Sequence, residues 1–567
     1  MKQWPVKALF GKLLKVNHIF IMKRRIILCA AVLMAAVANT FACTNLIVGK
    51  NASADGSTIV SYSADSYGLF GELYHYPAAT YPKGTMLKVY EWDTGKYLGE
   101  IEQARQTYSV VGNMNEYQVT IGETTFGGRP ELADSTGIID YGSLIYIGLQ
   151  RSRTAREAIK IMTDLVQQYG YYSEGESFTI ADPNEIWIME MIGKGPGIRG
   201  AVWVAVRVPD DCISAHANQS RIHQFDMNDK ENCMYSPDVV SFAREKGYFN
   251  GVNKDFSFSL AYAPLDFGAR RFCEARVWSY FNKFTDNGKD YLPYIEGKTN
   301  TPMPLFVKPK HKLSVQDVKD MMRDHYEGTP LDISNDFGAG PYKTPYRLSP
   351  LNFKVDGQEY FNERPISTQQ SGFVFVAQMR AHKPDLIGGV LWFGVDDANM
   401  AVFTPVYCCA TKVPVCYTRV DGADYITFSW DSSFWIFNWV SNMVYPRYDL
   451  MIGDIRATQH ELEGTFHEAQ AGIESMATRL YQKNPDEAKA FLTNYTNMTA
   501  QSTFDTWKRL GEFIIVKYAD GVIRKMKDGK FERNSIGQPA GVIRPGYPKE
   551  FLEEYVKQTG ERYKVKE

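Results

Sequence analysis

The sequence predicts an α+β fold in which a strand-rich region is followed by helices. Short apolar runs separated by turn residues recur between residues 44 and 216 and again at 372–393, as expected for antiparallel strands. Two separate segments, and most of the chain after residue 454, carry apolar residues at helical spacing instead. Aromatic residues make up 14% of the 567 residues, and aromatic side chains favour pleated, half-buried surfaces.

The predicted strands begin with a β-hairpin over residues 44–62 that turns at residues 54–57. A second strand pair is predicted at residues 107–122, around a turn at 113–116. Further strands are predicted at residues 177–181, 186–192, 202–208, 372–376 and 387–393. Residues 195–200 match the GxGxxG nucleotide-binding pattern, but a strand follows where that site needs a helix N-terminus. We therefore interpret them as a hairpin loop.

Two helices are predicted inside the strand-rich region. The first covers residues 155–169, because Thr154 and Glu157 can form a capping box and Gly170 provides a stop. The second runs from residue 314 to about residue 326. From residue 454, apolar side chains recur with 4-3 spacing until Asn484 and Pro485 break the pattern. A further helix is predicted at 487–516, and the charged tail after residue 520 ends in a short helix.

Residues 1–42 have the pattern of an export signal. Residues 22–25 are a positively charged start, residues 26–37 are apolar, and Thr40 and Ala42 place small side chains at positions −3 and −1 before Cys43. Translation from Met22 would give an ordinary signal length. No later stretch of roughly 20 apolar residues occurs, so we expect no stable membrane insertion after cleavage.

Charge and motif content exclude several function classes. The chain has 63 Lys and Arg against 65 Asp and Glu, so it lacks the basic surplus of a nucleic-acid-binding protein. The sequence contains no P-loop, no HExxH and no paired CxxC motifs, which predicts neither a metal nor an organic cofactor. Export would permit disulfides, and six cysteines are available for them: Cys212, Cys233, Cys273, Cys408, Cys409 and Cys416.

Cys43 is the residue with the clearest chemical role. Cleavage after Ala42 would place its thiol beside a free α-amine, whose ordinary pKa is about 8. That amine can take the thiol proton, so one residue would supply both the nucleophile and the base. Two alternative roles stay open for Cys43: a structural cysteine that happens to follow the signal, and a lipidated cysteine. Thr40 and the bulky Phe41 disfavour lipidation, which requires an apolar residue at −3 and a small one at −2.

Residues 43–50 (CTNLIVGK), followed by residues 54–57 (ADGS), resemble the opening of a known enzyme family. This is the secreted dipeptidase family, similar to dipeptidase A, of cysteine N-terminal-nucleophile hydrolases. It is related to penicillin V acylases, bile salt hydrolases and acid ceramidase. Four later segments resemble family signatures in the same order, at residues 122–127, 214–222, 326–347 and 367–372.

The resemblance implies a four-layer αββα sandwich, with two packed antiparallel sheets and helices outside, over residues 43–445. Residues 446–567 would then form a C-terminal helical extension and tail. The implied activity is hydrolysis of dipeptides or short peptides, without a cofactor, in the periplasm or outside the cell. Two alternatives stay open: an acylase acting on a non-peptide amide, such as a conjugated bile salt or a penicillin-type substrate, and a lipidated surface binding protein. A homo-oligomer is compatible with the sequence.

The resemblance also implies roles for individual residues. Cys43 is the nucleophile, and Asp65 matches an aspartate that we expect to bind the α-amine of Cys43. Relatives carry an arginine where this chain has Tyr62, which cannot supply a cation. Strand alternation puts Tyr62 and Asp65 on opposite faces, so both reach the site only if the strand ends or bulges near Ala64. This geometry favours Asp65 as the catalytic residue and Tyr62 as a substrate-binding pocket wall.

Three further positions complete the predicted site. Asn218 matches an asparagine whose amide contributes to the oxyanion hole. An arginine of the family maps to either Arg271 or Arg276, and the sequence does not choose between them. Glu123 lies in a segment that resembles the family strand near the nucleophile, and we predict that it contacts substrate.

Overall fold

The structure is a computed structural model that describes residues 43–566; the predicted export signal at residues 1–42 lies outside them. Its helices are α1 (Tyr141–Leu149), α2 (Ala155–Tyr169), α3 (Val239–Glu245), α4 (Phe258–Tyr262), α5 (Ala275–Phe284), α6 (Leu292–Ile295), α7 (Val315–Met322), α8 (Asp385–Gly388), α9 (Ser433–Val444), α10 (Tyr448–Lys483), α11 (Pro485–Tyr518) and α12 (Lys549–Thr559).

The strands in chain order are β1 (Asn45–Val48), β2 (Thr58–Asp65), β3 (His75–Tyr76), β4 (Ala79–Thr80), β5 (Met86–Tyr90), β6 (Tyr97–Glu102), β7 (Gln106–Thr107), β8 (Val110–Val111), β9 (Met114–Asn115), β10 (Thr120–Gly127), β11 (Gly175–Ala181), β12 (Ile186–Gly193), β13 (Ala201–Arg207), β14 (Ile213–His216) and β15 (Cys233–Tyr235). After them come β16 (Asn352–Val355), β17 (Gln358–Phe361), β18 (Ser371–Met379), β19 (Val390–Val395), β20 (Thr404–Tyr407), β21 (Ile523–Arg524), β22 (Met526–Lys527), β23 (Lys530–Phe531) and β24 (Val542–Ile543).

Two antiparallel sheets form the framework, and the mixture of helix and sheet confirms the predicted α+β class. One has six strands in the order β14-β1-β2-β18-β19-β20. The other has eight, in the order β15-β13-β12-β11-β10-β9-β8-β3. The predicted hairpin at 44–62 is confirmed as β1 and β2, and residues 195–200 do link two antiparallel strands, β12 and β13.

Some predicted strands differ from the observed ones. The pair predicted at residues 107–122 is broken into short pieces, of which only β10 is long. The strand predicted at 387–393 begins later, at Val390, because residues 385–388 form the helical turn α8.

Helices pack on both sheets. Helix α1 contacts β10, helix α2 contacts β11, β12 and β13, and helix α7 contacts β2 and β18. Thr154 caps α2 as predicted, but the Glu157 carboxylate accepts from the N–H of Arg153, so only half of the predicted capping box forms. Helix α7 ends four residues before the predicted boundary, because the backbone leaves helical geometry at Arg323, with φ −90° and ψ 2°.

The C-terminal helices follow the predicted pattern closely. Helices α10 and α11 contact each other and are separated at Asn484, whose side chain caps α11 by accepting from the N–H of Asp486. Buried ion pairs join α10 to the strand region, from Arg380 to Glu474 at 2.7 Å and from Arg323 to Glu463 at 2.5 Å. The domain boundary at residues 445/446 stays a prediction. Between residues 43 and 566, no helix has the length and apolarity needed to cross a membrane.

Candidate active site

Cys43 lies directly before β1, at the start of the six-stranded sheet. Its neighbour Thr44 bridges to Ser63 in β2, which fixes the chain next to the second strand. In the full-length chain the Cys43 side chain is buried. Its Sγ lies 3.4 Å from Oε1 of Glu123 and 3.7 Å from Oη of Tyr62. The structure therefore brings together the predicted nucleophile and both predicted substrate-binding residues.

A β-bulge lies opposite Ala64, but its extra residue is in β18, so the bulge predicted for β2 itself is absent. Ser371 pairs with Asp65 and Phe373 pairs with Ala64, so Gly372 is an extra residue in β18. The alternation of β2 is unbroken, so the Tyr62 side chain contacts the thiol while the Asp65 side chain lies beside that of Ser63. Asp65 reaches the thiol through its backbone N–H, whose hydrogen bond partly opposes the rise of the thiol pKa described below.

The Asp65 carboxylate is held by other residues of the chain. Its Oδ2 accepts from Nη2 of Arg364 at 2.8 Å, and its Oδ1 accepts from Oγ of Ser371 at 2.6 Å. Contact between this carboxylate and the α-amine of Cys43 stays a prediction. Arg364 is a site residue that was not predicted from the sequence, because it lies about 300 positions away and reaches Asp65 only through the pairing of β18 with β2.

Arg276, at the start of α5, links Cys43 to Asn218. The guanidinium is 1% exposed, and all five of its N–H groups have an acceptor. These acceptors are the carbonyls of Phe272, Cys43 and Ala217, the hydroxyl of Thr44, and Oδ1 of Asn218. Arg271 instead forms an ion pair with Glu363. Of the two arginines that the sequence left open, the structure brings Arg276 to Cys43.

Asn218 follows β14 with a left-handed backbone, φ 62°, which asparagine tolerates better than most residues. Its Oδ1 accepts from Arg276 at 2.9 Å, so its Nδ2 points away from that cation and donates to the carbonyl of Thr125 at 2.8 Å. An amide nitrogen carries two hydrogens, so Nδ2 has a second N–H beside the one that Thr125 accepts.

His216 anchors the strand that leads to Asn218. Its ring nitrogens form hydrogen bonds of 2.7 and 2.6 Å with the hydroxyls of Thr124 and Thr179, in the eight-stranded sheet. Burial, with the nearby charge of Arg221, lowers the pKa of His216 to about 3, so the ring is neutral at physiological pH. His216 therefore acts as a link between the two sheets and not as a base.

The thiol of Cys43 is held in its protonated form in the full-length chain. Burial raises its pKa well above the ordinary value, and the negative charges of Glu123 and Asp65 add to the rise. A thiol is a weak nucleophile, because the attacking species is the thiolate. Turnover at neutral pH therefore requires a base close to Sγ.

Glu123 and Glu176 form a buried acid pair beside the thiol. Glu176 pairs across the strands with Thr125, two residues from Glu123, so both glutamates lie on one face of β10 and β11. Burial and the nearby Glu123 carboxylate raise the pKa of Glu176 well above its ordinary value. Like Arg364, Glu176 is a site residue that was not predicted from the sequence. Over residues 43–566, no group of three His, Cys, Asp or Glu side chains is arranged to hold a metal ion.

Comparison with known proteins gives a consistent result. The family model for peptidase family C69 matches residues 42–74 and 71–461. The chain is 28% identical over 404 residues to a probable dipeptidase of Salmonella dublin, covering 67% of this chain and 84% of the relative. It is 25% identical over 515 residues to the probable dipeptidase B of Lactococcus lactis subsp. lactis (strain IL1403), covering 85% of this chain and 97% of the relative.

Proposed function

The chain belongs to peptidase family C69, and from this premise we propose that it is an exported cysteine dipeptidase with an N-terminal nucleophile at Cys43. The names of the relatives, "probable dipeptidase" and "probable dipeptidase B", support a dipeptide or short-peptide substrate. The observation that carries the proposal is the position of Cys43. Its thiol lies against Tyr62 and Glu123, while Arg276 binds its carbonyl oxygen at 2.6 Å.

In this mechanism the α-amine released by cleavage after Ala42 is the base. It takes the proton from Sγ, and the thiolate attacks the scissile carbonyl carbon. Asn218 and backbone N–H groups stabilise the negative charge that develops on the carbonyl oxygen. The protonated amine then gives its proton to the leaving amino group, and water hydrolyses the thioester to release the acid and free Cys43.

We also propose the fold class of a four-layer sandwich. Two antiparallel sheets with helices packed on each, α2 on the eight-stranded sheet and α7 on the six-stranded sheet, are compatible with the four-layer αββα sandwich of N-terminal-nucleophile hydrolases. Export rests on the signal pattern of residues 1–42.

A substrate panel tests the function. Purified protein is assayed with dipeptides, a conjugated bile salt and penicillin V, each with the wild type and with Cys43→Ala. We expect hydrolysis of dipeptides that depends on Cys43. Preferential cleavage of the bile salt or penicillin V would instead indicate an acylase. An added diacylglyceryl mass on Cys43 would indicate a lipidated protein.

A further inference from the structure

The acid pair beside Cys43 has buried oxygens without ordinary partners. Glu123 is 1% exposed and Glu176 is fully buried. The Oε2 atom of each receives no hydrogen bond from an amide, a hydroxyl or a cationic group in residues 43–566. Burying an unpaired carboxylate is costly, so this arrangement is expected where a ligand supplies the missing cation.

Without that cation, the two carboxyl groups satisfy each other. A hydrogen bond between them requires one to keep its proton, in agreement with the raised pKa of Glu176. The groups that face Glu176 are Glu123, Thr125, Tyr141, Tyr171 and Asp93, of which none is a cation. An incoming ammonium group could replace the shared proton without displacing any cation of the protein.

The position of the pair relative to the thiol matches the geometry of a dipeptide. In a peptide with a free N-terminus, the α-nitrogen is about 2.5 Å from the carbonyl carbon of the same residue, given standard bond lengths and angles. A carbonyl carbon that Sγ attacks therefore brings the α-ammonium within reach of a carboxylate next to Sγ. Oε1 of Glu123 lies 3.4 Å from Sγ.

A third carboxylate lies in the same acidic region. Asp93 is in the exposed turn between β5 and β6, and its Oδ1 accepts from Oη of Tyr141 at 3.0 Å. Desolvation of its carboxylate by the surrounding protein, together with the charges of Glu123, Asp140 and Glu91, raises the pKa of Asp93 to about 7.

We propose that Glu123 and Glu176 form the subsite for the free α-ammonium group of the substrate, with Asp93 at its rim. This inference rests on the proposed function and narrows it to peptides with an unmodified N-terminus that are cleaved after their first residue. N-acylated amides carry no cation at this position and leave the acid pair unsatisfied.

One competing cation belongs to the protein itself. The α-ammonium of mature Cys43 could also pair with Glu123 or Glu176. In that case a glutamate substitution would affect every substrate equally, because the α-amine of Cys43 acts on all of them. The two cations are therefore distinguished by how a glutamate substitution affects substrates with and without an α-amino group.

The test compares L-alanyl-L-alanine with propionyl-L-alanine, which lacks only the α-amino group. Both are assayed with the wild type, Glu176→Gln and the matched control Glu174→Gln, whose side chain is exposed two residues earlier. We expect wild type and Glu174→Gln to prefer L-alanyl-L-alanine by at least about tenfold in kcat/KM, as loss of a charged hydrogen bond implies. Glu176→Gln should lose most of this preference, through a lower kcat/KM for L-alanyl-L-alanine alone.

Equal losses for both substrates in Glu176→Gln would favour the Cys43 amine as the partner and overturn the inference. So would a wild-type enzyme that cleaves both substrates equally well, a result that does not depend on folding of the variant. Calorimetric binding of the two compounds to Cys43→Ala separates the inference from the proposed function. A preference for L-alanyl-L-alanine there supports the subsite even if Cys43 is not the nucleophile, and equal binding contradicts it.

Discussion

The two sides of Cys43 differ in how their charges are satisfied. On one side, Arg276 uses all five N–H groups within the protein, and Asp65 is paired with a buried arginine. On the other side, Glu123 and Glu176 have buried oxygens that receive no such bonds in the part of the chain that the structure describes.

We call the side with Arg276 and Asp65 the supporting side, and the side with Glu123 and Glu176 the receiving side. Breaking a bond in the satisfied network leaves a buried group unpaired, which costs about 1–3 kcal/mol. That network therefore holds Cys43 and Asn218 in place. The unsatisfied pair is stabilised only when a cation binds to it. This agrees with its proposed role as the subsite for the substrate α-ammonium group.

The largest expected effect comes from replacing Cys43, the proposed nucleophile, which both sides share. Cys43→Ala should lower kcat by at least about 1000-fold, as loss of a covalent nucleophile does in other hydrolases. Cys43→Ser should also lose most activity, because a hydroxyl is far harder to deprotonate than a thiol. Thermal unfolding of both variants serves as the control for folding, and substantial turnover by Cys43→Ala would refute the role of this residue.

The next effect separates the two arginines. Arg276→Lys should lower kcat by about 100-fold or more and lower the melting temperature, because an ammonium cannot reach all five acceptors and leaves buried carbonyls unpaired. Arg271→Lys should leave kcat within about threefold, since Arg271 pairs with Glu363 and forms no hydrogen bond with Cys43 or Asn218 among residues 43–566. Kinetics of both variants, with melting curves, check the assignment. A larger loss of kcat in Arg271→Lys would reverse it.

A smaller effect is expected for Asp65. Asp65→Asn should reduce kcat by at least about tenfold, or about 1.4 kcal/mol of barrier, with less change in KM. The neutral amide weakens the pairing with Arg364 and cannot orient a protonated α-amine. Steady-state kinetics provide the measurement, and an unchanged kcat would show that Asp65 has no part in positioning the base.

The smallest effect is expected for Tyr62, which touches the receiving side. Tyr62→Phe removes a hydroxyl that donates to Glu123 at 2.5 Å but leaves the aromatic wall against Phe373 and Phe375. We expect kcat within about threefold of wild type and a stability loss of about 1 kcal/mol. A tenfold fall in kcat here, alongside a mild effect of Asp65→Asn, would exchange the roles assigned to these two residues.

Elements with strong local signals could be predicted from the sequence. The cap at Thr154 and the break at Asn484 depend on neighbouring residues, and both occur where expected. Helix α1 could not be predicted in this way because its residues are apolar on nearly every side, so no helical stripe marks it.

The site could be predicted only in part, for a related reason. Cys43 and Asp65 belong to one hairpin, so a short segment of sequence contains both. Arg364 and Glu176 reach the site through strand pairing between distant segments, and no local pattern identifies such partners. The choice between Arg271 and Arg276 likewise depends on which way the helix faces.

The most direct test of the proposed mechanism is the N-terminus of the active protein. Active protein is labelled with iodoacetamide, with and without a competing dipeptide, and then analysed by N-terminal sequencing and mass spectrometry. We predict that the active chain begins Cys-Thr-Asn-Leu, that the label is on Cys43, and that the dipeptide slows both labelling and loss of activity. Full activity in a chain that retains Ala42 would contradict the central claim, because its Cys43 has no free α-amine.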